Sequence, residues 1–469
     1  MVAALAANRF AVPALVAFLG LGMVLGSDGP GGIEFSDADL ARTVGVAGLV
    51  AILYEGGLTT SWRRLWPVLA PAAALGTAGV VISMLVTGLA AYLVFDLSWL
   101  ESLLLGAVVA STDAAAVFAT LRFTPVRRRL ARLLEAESGL NDPMAVALTI
   151  GLIEWITEPA YGAADLTLLL VRQLGLGLVV GVAFGWAAAR GARALGATAG
   201  PFVPVASVSV AALSFGAADV LDGSGFLAVY IVGLFVGNAP TRHRRELVTF
   251  HTGLAFLAQV ALFVVLGLLV FPRQLDSVVL SGLALAAVLT LVARPLSVWI
   301  CTAVGKFTVR ERVFLGWAGL RGAVPIVLAT FALSADIGAS DTIFNAVFFV
   351  VLASAVVQGP TLERLVARLG LQSRARPSDE APLQIVAVES LGSDLLEYVV
   401  DDDDVIVGRA VRDFGLPRDT LLAVVVRDDE AIPPRGSTVI EPGDRLFVLA
   451  PRTIRADLED VFSRWRRRV

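Results

Sequence analysis

Runs of about twenty mostly apolar residues recur along the chain between short polar connections, and each is long enough to cross a bilayer as a helix. About twelve are predicted before residue 360, at 9–26, 40–58, 67–95, 99–121, 137–157, 166–190, 202–219, 223–240, 247–271, 277–303, 311–333 and 341–359. After residue 370 the pattern changes. The stretch Gln372 to Pro382 is polar with two prolines and reads as a linker. Strand-like runs follow at 383–389, 396–400, 420–427 and 445–450, a short helix is expected near 408–414, and 453–466 has the periodicity of an amphipathic helix ending in arginines. The expected fold is an all-α polytopic membrane protein carrying a small α+β domain. The divisions fall at 1–370, a linker 371–382, the small domain 383–452 and a terminal helix 453–469.

Composition agrees with a bilayer as solvent: 57% of positions are hydrophobic, 17% are charged and the mean hydropathy is +0.79. A single cysteine, Cys301, leaves no internal disulfide framework. The basic residues are scattered through short loops and form no single face, which argues against a nucleic-acid partner. They do alternate in side. One set of connections carries Arg63, Arg127, Arg128, Arg129, Arg190, Arg193, Lys306 and Arg310, while the other is largely acidic or neutral, with Asp28, Glu34 and Asp336. The first set is expected to be cytoplasmic, which places the tail domain on the cytoplasmic side of the cell membrane.

Ionisable side chains are expensive within a membrane helix and mark functional candidates. Here they cluster. The fourth run contains Ser111-Thr112-Asp113, the fifth opens Glu137-Ser138-Gly139-Leu140-Asn141-Asp142-Pro143, the eleventh contains Gly319-Leu320-Arg321-Gly322, and the second carries Glu55. A helical step of about 100° puts Ser138 and Asp142 on one face of the fifth run and Glu137 with Asn141 on the neighbouring one. Hydroxyl and carboxylate oxygens suit a hard, partly dehydrated alkali cation, whereas the His and Cys ligands of transition metals are missing from these motifs. Ser111 to Asp113 read as the cap of a half-helix, and Gly319, Gly322 and Pro325 mark a second weak point. The two interrupted runs lie an odd number of crossings apart and so run in opposite directions, as inverted repeats with two crossed broken helices require.

Blander readings stand beside these. Asp113 alone would serve as a helix cap, Glu137 with Arg321 as a buried structural ion pair, and Glu55 as a helix-end residue near water. Asp142 has no basic residue on its own helix face to neutralise it. No nucleophile–base pair is visible: the two histidines, His243 and His251, lie at or near a cytoplasmic loop and read as solvated groups, with pH sensing as the other reading. A transporter is therefore expected rather than an enzyme. A ligand-gated potassium channel is the alternative, without a recognisable selectivity filter.

Taken together, the stretch Ser111 to Val117, the segment Glu137 to Pro143 and the segment Gly319 to Pro325 resemble the monovalent cation/proton antiporter superfamily, specifically its NhaP-like branch of sodium/proton exchangers. The resemblance implies that Asp142 binds cation and proton alternately, that Thr112, Asp113 and Ser138 line the site, and that Glu137 pairs with Arg321. Neutral Asn141 implies one titrating carboxylate and an electroneutral, one-for-one exchange. Members commonly have thirteen helices and form homodimers, and Met1 falls just before what looks like the second helix. The tail, about 384–451, resembles the TrkA-C domain of potassium-conductance regulators. That pairing implies K⁺ over Na⁺ and a regulatory nucleotide such as cyclic di-AMP. Asp401 to Asp404 read as a solvated loop or a cation-sensing patch.

Overall fold

The computed structural model describes residues 14–121, 124, 126–194, 202–241, 243–271, 278–303, 305–373, 393–401, 404–417, 419–427, 430–451 and 454–466. It forms two compact units, Met1–Pro377 and Ser378–Val469.

The described residues of the first unit are predominantly helical. Its helices are α1 (Ala14–Leu25), α2 (Ala38–Thr59), α3 (Trp66–Val94), α4 (Trp99–Val108), α5 (Ala114–Thr120), α6 (Arg128–Thr157) and α7 (Ala163–Ala194). They continue as α8 (Val203–Val220), α9 (Gly225–Gly237), α10 (Arg244–Leu268), α11 (Val279–Cys301), α12 (Val309–Trp317), α13 (Ala323–Ser334) and α14 (Ser340–Leu369). Taking α4 with α5 and α12 with α13 as single interrupted rods, the described residues make the twelve crossings that the hydropathy predicts. Seven rods are individually long and apolar enough to span a bilayer, and the chain is a multi-pass membrane protein. Outer helices present apolar side chains outward, among them Leu168, Val171, Val205, Leu213 and Leu257. Inside, Leu104, Leu105, Ala145, Ile326, Leu328 and Phe348 are fully buried around α4, α6, α13 and α14.

Both interrupted crossings follow one plan. Ser98 caps α4 through the Glu101 backbone while Glu101 reaches back to Ser98, and Thr308 and Glu311 repeat that reciprocal box at the start of α12. In each case about ten residues of helix follow, then five residues of irregular chain, then a second half-helix. Three neighbouring rods contain a widened π turn: Leu75–Gly79 in α3, Leu289–Ala293 in α11 and Ser354–Gln358 in α14. Two boundaries differ from expectation. α6 begins at Arg128 instead of 137, because buried Leu130, Leu133 and Leu134 extend its packed face into a charged stretch. α14 runs on to Leu369 and stops where Gly370 adopts a φ of +65°.

The second unit contains a four-stranded antiparallel sheet of order β1-β4-β2-β3, with β1 Ser393–Val399, β2 Leu421–Arg427, β3 Glu430–Ile432 and β4 Arg445–Pro451. Tyr398, Phe414, Val425, Leu446 and Val448 form its core with Leu458, Val461 and Trp465 of α15 (Arg455–Trp465). Asp444 is fully buried and gripped by Arg427, Nε to Oδ1 and Nη2 to Oδ2 at 2.8 Å each. The run 383–389 and most of the expected linker lie outside the described residues. The helix expected near 408–414 is a single 3₁₀ turn, Val411–Asp413, between Gly408 and Gly415 at positive φ. β3, three residues long, gave no alternation signal.

Candidate functional site

Where α4 and α5 part, their connecting chain meets the connection between α12 and α13. The Asp113 amide donates to the Leu320 carbonyl at 2.8 Å, so the two breaks touch through backbone. Such a hydrogen bond is available only because neither segment is helical there. Arg321 reinforces it: Nη1 donates to the Ser111 carbonyl at 2.6 Å, and its amide donates to Ser354 Oγ at 3.1 Å. Ser354 bonds in turn to Gln358, whose Nε2 donates to the Trp317 carbonyl at 3.0 Å. The π turn of α14 thus supports the α12–α13 break from both ends. Gly322 is required by proximity, since a Cβ there would overlap the Asp113 carboxyl group.

The α6 motif lies against the first break. Ser111 Oγ donates to Asp142 Oδ1 at 2.6 Å, Ser138 Oγ donates to the Thr112 carbonyl at 2.8 Å, and Asn141 Nδ2 donates to Thr112 Oγ1 at 2.6 Å. The Ala114 amide reaches Ser138 Oγ at 3.4 Å, and Asp113 Oδ1 caps α5 at the Ala116 amide, 3.0 Å away. Ser111, Thr112, Asn141 and Asp142 are all buried. Asn141 Oδ1 has no hydrogen-bond partner among the described residues. Five residues named from the sequence, Asp142, Ser138, Thr112, Asp113 and Asn141, therefore meet in one place. Their pairing departs from the helical-wheel reading: the hydroxyl on Asp142 belongs to Ser111, while Ser138 serves the backbone between the half-helices α4 and α5.

The expected Glu137–Arg321 pair is a correction. Glu137 is held by Arg294 of α11, with Nη1 on Oε1 and Nη2 on Oε2, the latter at 2.9 Å. Arg294 follows directly on the π turn of α11, and its chain lies against Gly319. Arg321 is the backbone clamp described above. Arg294 was detectable, because an arginine inside the run 277–303 is costly unless paired. Glu55 lies apart from these contacts and accepts from Thr252 Oγ1 of α10 at 3.1 Å.

Neither histidine is solvated: His243 is buried beside Glu246 at 2.8 Å, and His251 is buried within α10 against Ser207. In the tail, Asp404 is structural, its Oδ2 accepting from Tyr398 Oη at 2.8 Å and from the Asp401 amide at 2.9 Å. Asp402 and Asp403 lie outside the described residues.

Chemically, the crossing gathers a carboxylate, hydroxyls, a carbonyl and an amide oxygen in a place largely closed to water. Such an oxygen-only set has the chemistry to take an alkali cation or a proton and offers no ligand for a soft metal.

Comparison with known proteins agrees. The sodium/hydrogen exchanger transmembrane model matches residues 1–368, and the TrkA-C domain model matches 395–463. The K(+)/H(+) antiporter NhaP2 of Shewanella sp. (strain MR-4) is 38% identical over 461 residues, covering 97% of this chain and 80% of that protein. The K(+)/H(+) antiporter NhaP of Alkalimonas amylolytica is 38% identical over 469 residues, 98% of this chain and 80% of its own. The Na(+)/H(+) antiporter ApNhaP of Aphanothece halophytica is 29% identical over 346 residues, 69% of this chain and 64% of its own. Among solved structures, the sodium proton antiporter MjNhaP1 from Methanocaldococcus jannaschii at pH 8 shares the fold with a TM-score of 0.71 at 24% identity, over 78% of this chain and 95% of that one.

Proposed function

The chain belongs to the sodium/hydrogen exchanger family and exchanges a monovalent cation for protons across the membrane; from that premise we propose that both ions ride on one carboxylate, Asp142. The observation that carries this reading is where the guanidinium groups go. Arg294 is committed to Glu137 and Arg321 to the Ser111 carbonyl, so the Asp142 hydrogen bond found in the site comes from a neutral hydroxyl. A carboxylate neutralised by arginine would have no use for a second cation. One held by a hydroxyl still lacks a counter-charge, and proton and metal ion compete to supply it.

Competition gives coupling. An empty, ionised carboxylate is too costly to carry through a dehydrated passage, so each crossing takes either a cation or a proton. Thr112, Ser138 and Asn141 complete the oxygen set, Asp113 caps α5 beside it, and the Glu137–Arg294 pair ties α6 to α11. With Asn141 neutral, one carboxylate titrates and the exchange is one for one, carrying no net charge.

K⁺ is our choice over Na⁺, supported by the two relatives that match nearly the whole chain, tail included, and are named K(+)/H(+) antiporters. We read the tail as a cytoplasmic regulatory domain whose ligand is a nucleotide. The assembly is read as a homodimer, for which the outward apolar face of α7, with Leu168, Val171 and Val179, offers a surface.

Reconstitution tests the core of this reading. In liposomes, dye-reported proton movement on adding K⁺ or Na⁺ is expected to vanish for Asp142→Asn, and the parent rate is expected to be independent of imposed voltage, with K⁺ half-saturating at lower concentration than Na⁺. Exchange that survives Asp142→Asn defeats the assignment.

A further inference from the structure

We propose that the Ser111 hydroxyl is an internal stand-in for the transported ion, donating to Asp142 while that carboxylate is ionised and empty and turning away when either ion binds. This rests on Asp142 being the ion carrier and adds the group that sets how tightly it holds its cargo.

Three observations carry it. Ser111 Oγ donates to Asp142 Oδ1 across 2.6 Å, so the hydroxyl sits directly on the oxygen that an incoming ion needs. The backbone leading out of Ser111 is held at two successive points: its own carbonyl accepts from Arg321 at 2.6 Å and the next carbonyl, of Thr112, accepts from Ser138 at 2.8 Å. With the main chain clamped, rotation about the Cα–Cβ bond is the freedom left to the side chain, and a serine hydroxyl has three staggered positions there. Ser111 is also almost wholly buried, at 1% exposure, so bulk water does not replace the bond cheaply.

The consequence for transport is definite. A cation or proton approaching Oδ1 meets a hydroxyl proton already in place and must displace it. The hydroxyl therefore weakens both ions equally. It keeps the site from trapping its cargo, and it leaves the competition between ions intact. Arg321 acts here as a positioning residue, through the Ser111 backbone.

The test compares the full-length parent, Ser111→Ala, Ser111→Cys, Ser111→Thr and Asp142→Asn in liposomes, with K⁺ titrated against a pH-sensitive dye between pH 6.5 and 9.5. Losing one hydrogen bond to a charged group is expected to lower the KM for K⁺ at alkaline pH by about tenfold and to move the pH at which KM begins to rise upward by about one unit. Maximal rate should fall as release slows. Ser111→Thr keeps the donor and should match the parent. Ser111→Cys, a weaker donor, should fall between, and it carries the test if the alanine variant does not assemble. Ser111→Ala or Ser111→Cys with the parental KM and pH dependence overturns the proposal, as does a raised KM, which would make the hydroxyl a cation ligand. Exchange persisting in Asp142→Asn instead overturns the carrier assignment beneath it.

Discussion

Arg294 shows most sharply what single residues contribute. Its guanidinium and the Glu137 carboxylate are both buried, 4% and 1% exposed, and satisfy each other two bonds at a time. Removing one partner strands a charge in a place without water. Arg294→Met is therefore expected to destabilise the membrane unit by about 3–5 kcal/mol, read as a lowered melting temperature in detergent. Adding Glu137→Leu should recover much of that loss, because the pair is then replaced by apolar packing. A double variant no more stable than Arg294→Met would show that the pair does not act as a unit. The sequence made Asp142, Ser138, Thr112 and Asn141 legible because their motifs crowd polar groups into apolar runs. It could not say which arginine reaches Glu137. Two candidates lie in different crossings, and spacing along the chain carries no information about contacts 157 residues apart.

At the scale of elements, the breaks were legible as capping and glycine signals, and the structure adds that they are built alike, each behind its own reciprocal box. Gly322 tests how closely they approach. Gly322→Ala places a methyl group on the Asp113 carboxyl, so a destabilisation of about 1–3 kcal/mol is expected together with slowed exchange. Adding Asp113→Ala should relieve part of the melting loss, and strictly additive shifts would show that the two positions do not press on each other. Helix ends were the weak point of the sequence reading. Tertiary burial lengthens α6 over an unpromising charged stretch, and a π turn inserts one extra residue without altering composition, which leaves no trace in hydropathy.

For the whole molecule, the division into an apolar helical body and a small mixed domain follows from composition alone, whereas the short β3 does not. The tail's stability has its own pH signature. Burial, with the bond to Asp404, holds the Tyr398 phenol above the ordinary tyrosine range. A group whose folded value is raised contributes fully below its unfolded value of about 10, and that contribution is lost as pH rises through the folded value. Protection of the amides in β1 and β4 of the intact protein, taken relative to the intrinsic base-catalysed exchange rate, should thus weaken above about pH 10, and Tyr398→Phe should flatten that dependence. A parent whose protection does not weaken there would count against the phenol's role.

The three π turns bear on how the body moves. Gly76 of the first backs onto Asn141, the second delivers Arg294, and the third grips the chain around Arg321. A widened turn is a mobile dislocation: shifting it one residue along the rod swaps one hydrogen bond for another and swings the residue it passes by about 100°. If the ions bind at Asp142 as proposed, slack of this kind would lie in the scaffolding beside them, while the crossed chains keep their backbone and side-chain grip.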